Sequence, residues 1–162
     1  MTTGESWQTE WRRFYAPILK TLAGRQVLVL FSGGKDSSLV LSLMCDCAAE
    51  YDFRLVAHAA CFPSHRYPET EVARLDAFWQ SKGVRVTWHA APQDDTGMDS
   101  SATPCRDCQQ IRRGMLTKEL DGLVDEWRRL VLVAGYSLRD LVSYSIEHLL
   151  GDVLSAGAPP ST

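Results

Sequence analysis

Val27-Leu28-Val29-Leu30-Phe31-Ser32-Gly33-Gly34-Lys35-Asp36-Ser37-Ser38 is an apolar run that stops at a polar turn and re-enters an apolar segment from Leu39 to Met44. The pattern reads as a strand, a phosphate-sized loop and a helix. Two successive glycines permit positive backbone angles and leave space for a ligand. Several backbone N–H groups can then converge on one anion at the N-terminus of the following helix. Ser32, Ser37 and Ser38 add hydroxyls, and Lys35 adds a mobile positive charge. The same residues also suit an ordinary strand-to-helix turn, with Gly-Gly supplying geometry and Asp36 or Ser37 acting as N-cap. The spacing excludes two other phosphate loops, since neither G-x-x-x-x-G-K-S/T nor G-x-G-x-x-G is present.

Working outward, strands and helices alternate. Phe53 to Phe62 reads as a second buried strand, Thr70 to Lys82 as an amphipathic helix ended by Gly83, and Val84 to His89 as a third strand. Cys108, Ile111, Met115, Leu116, Leu120, Leu123, Val124 and Trp127 mark a helical face. Leu130 to Ala134 is a fourth apolar strand, and Leu138, Leu141, Val142, Ile146, Leu149 and Leu150 mark a last helix. Such alternation predicts an α/β fold of three layers, with a mostly parallel sheet, right-handed crossovers and helices on both faces. Before the first strand, Trp7, Trp11, Phe14, Tyr15, Ile18, Leu19 and Leu22 recur at helical spacing, so residues 1–25 form an amphipathic segment suited to core or interface, kinked or divided at Pro17. Residues 26–152 form the main domain and 153–162 a flexible tail. The polar stretch Ala91 to Pro104 is long for a connection and suits a lid, a binding loop or disorder.

The chain of 162 residues is 45% hydrophobic and 23% charged, ordinary for a globular protein. Its apolar runs fall far short of the roughly 18 residues that a membrane helix needs, and its acidic, aromatic N-terminus is unlike a secretory signal. No membrane partner and a cytoplasmic location are expected. A net charge of -3 argues against strong unaided nucleic-acid binding, although a local patch such as Arg106, Arg112 and Arg113 can still make contact. Five cysteines without an export signal point to metal, cluster or thiol chemistry and away from a disulfide framework.

Open parallel sheets bind ligands at the C-terminal ends of their strands, near the point where the strand order reverses. The first loop falls there, as do Cys61 and Phe62, His89, and Gly135-Tyr136. Cys105-Arg106-Asp107-Cys108 is the second strong signal, because a two-residue gap lets both thiolates reach one metal or one another. Without a matching second pair, however, it is half of a zinc site. Cys45 and Cys47, two apart on a helix, face different directions and read as core. His58, inside an apolar strand, reads as a buried residue. His65 and His89 fall near the rim, and His148 near a helix C-terminus.

Ser32-Gly33-Gly34-Lys35-Asp36-Ser37 resembles the signature of the PP-loop ATP pyrophosphatases, which adenylate a substrate and release pyrophosphate. With Cys105-x-x-Cys108, Arg112-Arg113-Gly114 and a strand ending in Gly135, the chain looks like a shortened member of the tRNA 2-thiocytidine synthetase branch, over about Val27 to Leu150. The resemblance implies a sheet of the HUP/PP-loop type in the order 3-2-1-4, with room for a fifth strand. It implies ATP and Mg2+ at Ser32, Gly33, Gly34, Lys35, Asp36, Ser37, Ser38, Gly135 and Tyr136. Catalytic roles fall to Lys35, Asp36, Cys105, Cys108 and Asp140. It further implies a 4Fe-4S cluster, or else Zn2+, on Cys105, Cys108 and a third ligand.

Two departures stand out. The family's Gly-His motif with paired aspartates is replaced by Gly135-Tyr136-Ser137-Leu138-Arg139-Asp140, in which Asp140 alone keeps the pattern and also suits a capping box opened by Ser137. No cysteine follows Cys108, which suits a shortened relative, a fragment, or a protein whose third ligand comes from elsewhere; Cys61 is the candidate and reads equally as a small buried residue. The function implied is an ATP-dependent sulfur transferase that adenylates an oxygen and exchanges it for sulfur. Its acceptor would be a tRNA, a small molecule or a carrier protein, served by a sulfur-donor protein, while the aromatic N-terminal helix suits a homodimer. A sulfonucleotide-reductase relative and a non-catalytic adenine-nucleotide-binding module with a structural metal are the alternatives.

Overall fold

The apolar runs pair side by side in parallel. The computed structural model describes residues 6–64, 67–91, 95–101, 104–123, 127–139, 141–143 and 145–146, with backbone only at 104–106, 109, 119 and 121–123. β1 (Gln26–Leu30), β2 (Arg54–Cys61), β3 (Val86–Ala90) and β4 (Leu130–Ala134) form one sheet in the order β3-β2-β1-β4. Val29 of β1 sits between Ala57 of β2 and Val133 of β4. β1 is continuously apolar because it is covered on both faces, and Val27, Leu28 and Val29 have no exposed surface. Four strands are present among the described residues.

Strand alternation separates two faces, and each has its own core. Val27, Val29, Phe31, Ala57, Ala59 and Val86 pack with Leu41, Met44 and Cys47 of α2 (Lys35–Ala48) and Trp79 of α3 (Glu69–Ser81). Ala60, Phe62 and Ala91 pack with Cys108, Ile111 and Met115 of α4 (Pro104–Leu123). The crossovers from β1 to β2 and from β2 to β3 move in one direction and lay α2 and α3 on one face. The return past β1 to β4 reverses that direction and lays α4 on the other.

α1 (Trp7–Lys20), capped by Ser6, is one helix and is not divided at Pro17. Pro17 is exposed, so its ring lies on the solvent side of α1 and the helix continues past it. Trp11, Leu19 and Leu22 reach the first core, and Arg12 pairs with Glu50 at 3.2 Å. Phe14 is 76% exposed and Ile18 and Trp7 are also open, so the aromatic stripe is only half core.

Other boundaries shift for physical reasons. Trp127 lies in a separate 3-10 turn (Trp127–Arg129) and is exposed, not on the buried face of α4. The connection before α4 contains a 3-10 turn, Thr96–Ser100, and a fully buried Asp95 whose Oδ1 accepts the Ser64 N–H at 2.8 Å. Residues 138–139, 141–143 and 145–146 are helical, and Leu138, Leu141, Val142 and Ile146 are exposed. Leu149, Leu150 and the tail 153–162 lie outside the described residues. No described helix is long and apolar enough to cross a membrane.

Leu41, fully buried between α2 and the sheet, should lose about 2–5 kcal/mol of stability on replacement by alanine. Phe14→Ala on the open side of α1 should cost less than about 0.5 kcal/mol, and urea denaturation of the two variants measures the contrast. Burial pushes the Cys47 thiol above its ordinary value of 9.0. The unfolded chain therefore loses this proton first as pH rises, so the Cys47 contribution to stability holds below 9.0 and declines above it. Urea midpoints taken from about pH 8 to about pH 10 should fall less steeply in Cys47→Ala than in the parent.

Candidate functional site

β1 ends at Leu30, level with Ala134 at the end of β4, while β2 runs on to Cys61. Gly33 takes φ +77°, a conformation that side chains resist. Gly34 is the N-cap of α2, which corrects the expectation of a capping Asp36 or Ser37. A glycine cap has no side chain, so the leading amides of α2 are left for another acceptor. The loop is braced from within by Ser37, which is buried. Its Oγ accepts the Ser32 N–H at 3.2 Å, donates to the Gly34 carbonyl at 3.1 Å and lies 3.0 Å from Ser32 Oγ. The Ser38 N–H bonds to the Gly34 carbonyl at 3.0 Å. Lys35 and Asp36 face solvent, with Lys35 Nζ 3.0 Å from Asp36 Oδ1. Such an exposed pair adds little to stability and leaves the ammonium free to turn toward an anion.

The end of β4 presses on the same helix head. A Cβ at Gly135 would stand 2.9 Å from the backbone carbon and oxygen of Asp36 and from the Ser37 nitrogen. Only glycine fits where two backbones approach this closely. Glycine at 135 therefore lets β4 meet the head of α2 and its glycine loop across the reversal point.

A cavity of about 560 Å³ opens beside this junction, a volume suited to a nucleotide-sized ligand. Ser32, Ser37, Gly135 and Tyr136 form one wall, and Cys108, Arg112 and Arg113 form another. Leu30, Ala60 and His58 form its sheet side. Two signals separated by more than 70 positions thus share one space. Arg112 stacks on Phe62, its Cζ 5.5 Å from the ring centre. His58, read from sequence as plainly buried, is buried but reaches the cavity, and its ring lies 4.4 Å from that of His89. Its position on the β2 face that Ala60 also occupies was the signal available, because alternate residues share a face. Tyr67 was not foreseen at all. Its hydroxyl donates to the Ser32 carbonyl at 3.0 Å.

The predicted metal ligands do not all converge. Ala57 and Ala59 belong to the core under α2 and α3, and Ala60 to the core under α4. By alternation Cys61, the last residue of β2, belongs with Ala57 and Ala59, on the sheet face opposite Cys108. Burial also pushes its thiol up, which disfavours the thiolate that a metal requires. Cys105 lies in the first turn of α4 and its side chain is outside the described residues, as are Asp140, His65 and His148. Cys45 and Cys47 lie on α2, across the sheet from α4. Among the described residues no three His, Cys, Asp or Glu side chains are grouped to hold a metal ion. Cys61 therefore does not join Cys108 on one face of the sheet.

The site lies in a parallel sheet of order β3-β2-β1-β4, layered by helices on both faces, with a glycine loop heading the helix after β1. The chain is similar in fold to the U34-tRNA thiolase NcsA from Methanococcus maripaludis with its 4Fe-4S cluster, with a TM-score of 0.64 at 18% identity over 89% of this chain. It spans about half of that thiolase, covering 53% of its length. No family model matches the sequence, and no curated protein matches it.

Gly135→Ala should force β4 and the head of α2 apart. A rotamer change cannot relieve a clash with backbone, so a loss of about 1–3 kcal/mol is expected. Thermal melting measures it, and titration with magnesium-ATP should show weakened binding in the same variant.

Proposed function

We propose that this chain is the nucleotide-binding part of an ATP-dependent thiolation enzyme that adenylates an oxygen of its acceptor and replaces it with sulfur. The observation that supports this most is the shared cavity. The phosphate loop at Ser32 and Ser37 faces Cys108, Arg112 and Arg113 across it, within a fold similar to a tRNA thiolase. The loop amides and Lys35 grip the β- and γ-phosphates, and Asp36 would hold a Mg2+ ion, which would offset phosphate charge. The α-phosphorus is left facing the cavity. Gly135 and Tyr136 complete the nucleotide side.

The acceptor's carbonyl oxygen attacks the α-phosphorus and pyrophosphate leaves, its growing charge stabilised by Lys35 and the amides. A sulfur nucleophile then adds to the activated carbon. AMP departs with the former carbonyl oxygen, and the added sulfur loses its proton. No electron is transferred, so the exchange needs a sulfur donor but no oxidant. We read tRNA as the acceptor class, since Arg112 and Arg113 supply local positive charge on a chain of net charge -3 and the similar structure is a tRNA thiolase. Cys108, with Cys105 on the same helix, stands on the side of the cavity from which the sulfur nucleophile approaches.

One observation favours a second reading. Tyr136 and Arg139 stand where the family pattern has histidine and aspartate, which suits a module that binds adenine nucleotide without turning it over. Incubation with magnesium-ATP, sulfide and unmodified tRNA separates the two. The thiolation reading expects pyrophosphate and AMP in equal amounts, with release falling by about 10²-fold in Lys35→Ala. Binding without pyrophosphate supports the module, and phosphate as the product overturns both.

A further inference from the structure

Tyr67 belongs neither to the phosphate loop nor to the cavity wall, yet it holds two consecutive residues of that loop. Its hydroxyl donates to the Ser32 carbonyl at 3.0 Å. Its ring lies against the bare Cα of Gly33, where an added Cβ would meet ring atoms Cε2 and Cζ and the hydroxyl oxygen at 3.2–3.3 Å. Gly33 is the residue of the loop held at positive φ. One side chain from the β2–α3 connection therefore restrains the bond-rich side of Ser32 and the most mobile residue beside it.

The connection that delivers Tyr67 is itself anchored. The Ser64 N–H is held at 2.8 Å by Oδ1 of Asp95, which is fully buried. Pro68 follows Tyr67 directly as the N-cap of α3, with the backbone at φ -53°. Proline narrows the choices of the residue before it. Tyr67 nevertheless remains 45% exposed, so its contacts shape the loop more than they fill a core.

We propose that Tyr67 is the positioning residue of the phosphate loop, setting Ser32 and Gly33 before nucleotide arrives. A loop of two glycines has a large conformational entropy to lose, and a clamp that removes part of it beforehand makes binding of a nucleoside triphosphate tighter. The proposal rests on the reading of this loop as a phosphate site. Tyr67 touches no reacting atom, so its effect falls on nucleotide affinity, and on KM for ATP more than on kcat.

The test uses the full chain, with Tyr67→Ala and Tyr67→Phe. Hydrogen exchange of the segment 31–34 is followed without nucleotide, and magnesium-ATP binding is titrated separately. In Tyr67→Ala the loop amides should exchange roughly ten-fold faster while β1 stays protected, and the dissociation constant should rise roughly ten-fold. Tyr67→Phe keeps the ring over Gly33 and should fall between the parent and Tyr67→Ala. It also serves as the reading should Tyr67→Ala fail to fold. Loop exchange and ATP affinity that match the parent in both variants overturn the clamp. A parent protein that binds no ATP overturns the phosphate-site reading instead, and the exchange data then decide the clamp alone.

Discussion

The burial of β1 on both faces is the constraint from which the rest follows. Val27, Leu28 and Val29 have no exposed surface, so this strand must lie between β2 and β4 and beneath helices on either side. The chain then leaves the sheet at Ser32 in the one place where its neighbours diverge. Connections to one side carry α2 and α3, and the connection to the other carries α4. A crevice at that reversal is a consequence of parallel pairing and right-handed crossover, whatever occupies it. Gly33 and Gly34 stand at the exit because the backbone must turn sharply there. Gly135 stands beside them because the last turn of β4 meets the first turn of α2 with no space for a side chain.

The cavity's chemistry is divided between faces. α4 crosses to the side of Ala60 and Phe62 and brings Cys108, Arg112 and Arg113 to the cavity beside the glycine loop. Cys61 ends up on the other side of the sheet through the same rule that places Ala60 on this one. A one-residue offset in a strand thus decides whether a thiol can meet its supposed partners. Cys61 is thereby separated from Cys108, while the similar structure, NcsA, carries its 4Fe-4S cluster in a longer chain, 53% of which this chain covers.

Support for the loop comes from outside it as well as from within. Ser37 braces the turn from the first turn of α2, and Tyr67 braces it from a different connection. Internal bracing by Ser37 is local and follows from the spacing of serines around two glycines. Bracing by Tyr67 joins residues 35 positions apart and depends on how β2 delivers its following loop. The buried Asp95 extends the same linkage to the segment after β3.

The strands, the glycine loop and the alternation that makes the sheet parallel were readable in the sequence. Each rests on local chemistry: apolar periodicity, the freedom of glycine and the length of apolar runs. Leu130 to Ala134 was read to the residue for that reason. Three features were beyond it. α1 runs through Pro17, whose ring lies on the exposed side of the helix. Half of its aromatic stripe stays exposed because the sheet offers only so much surface to cover. His58, Tyr67 and Asp95 take their places through contacts between segments far apart in the chain. Periodicity specifies which side of an element is apolar, whereas the meeting of two such elements depends on register and crossover direction, which only the assembled sheet decides.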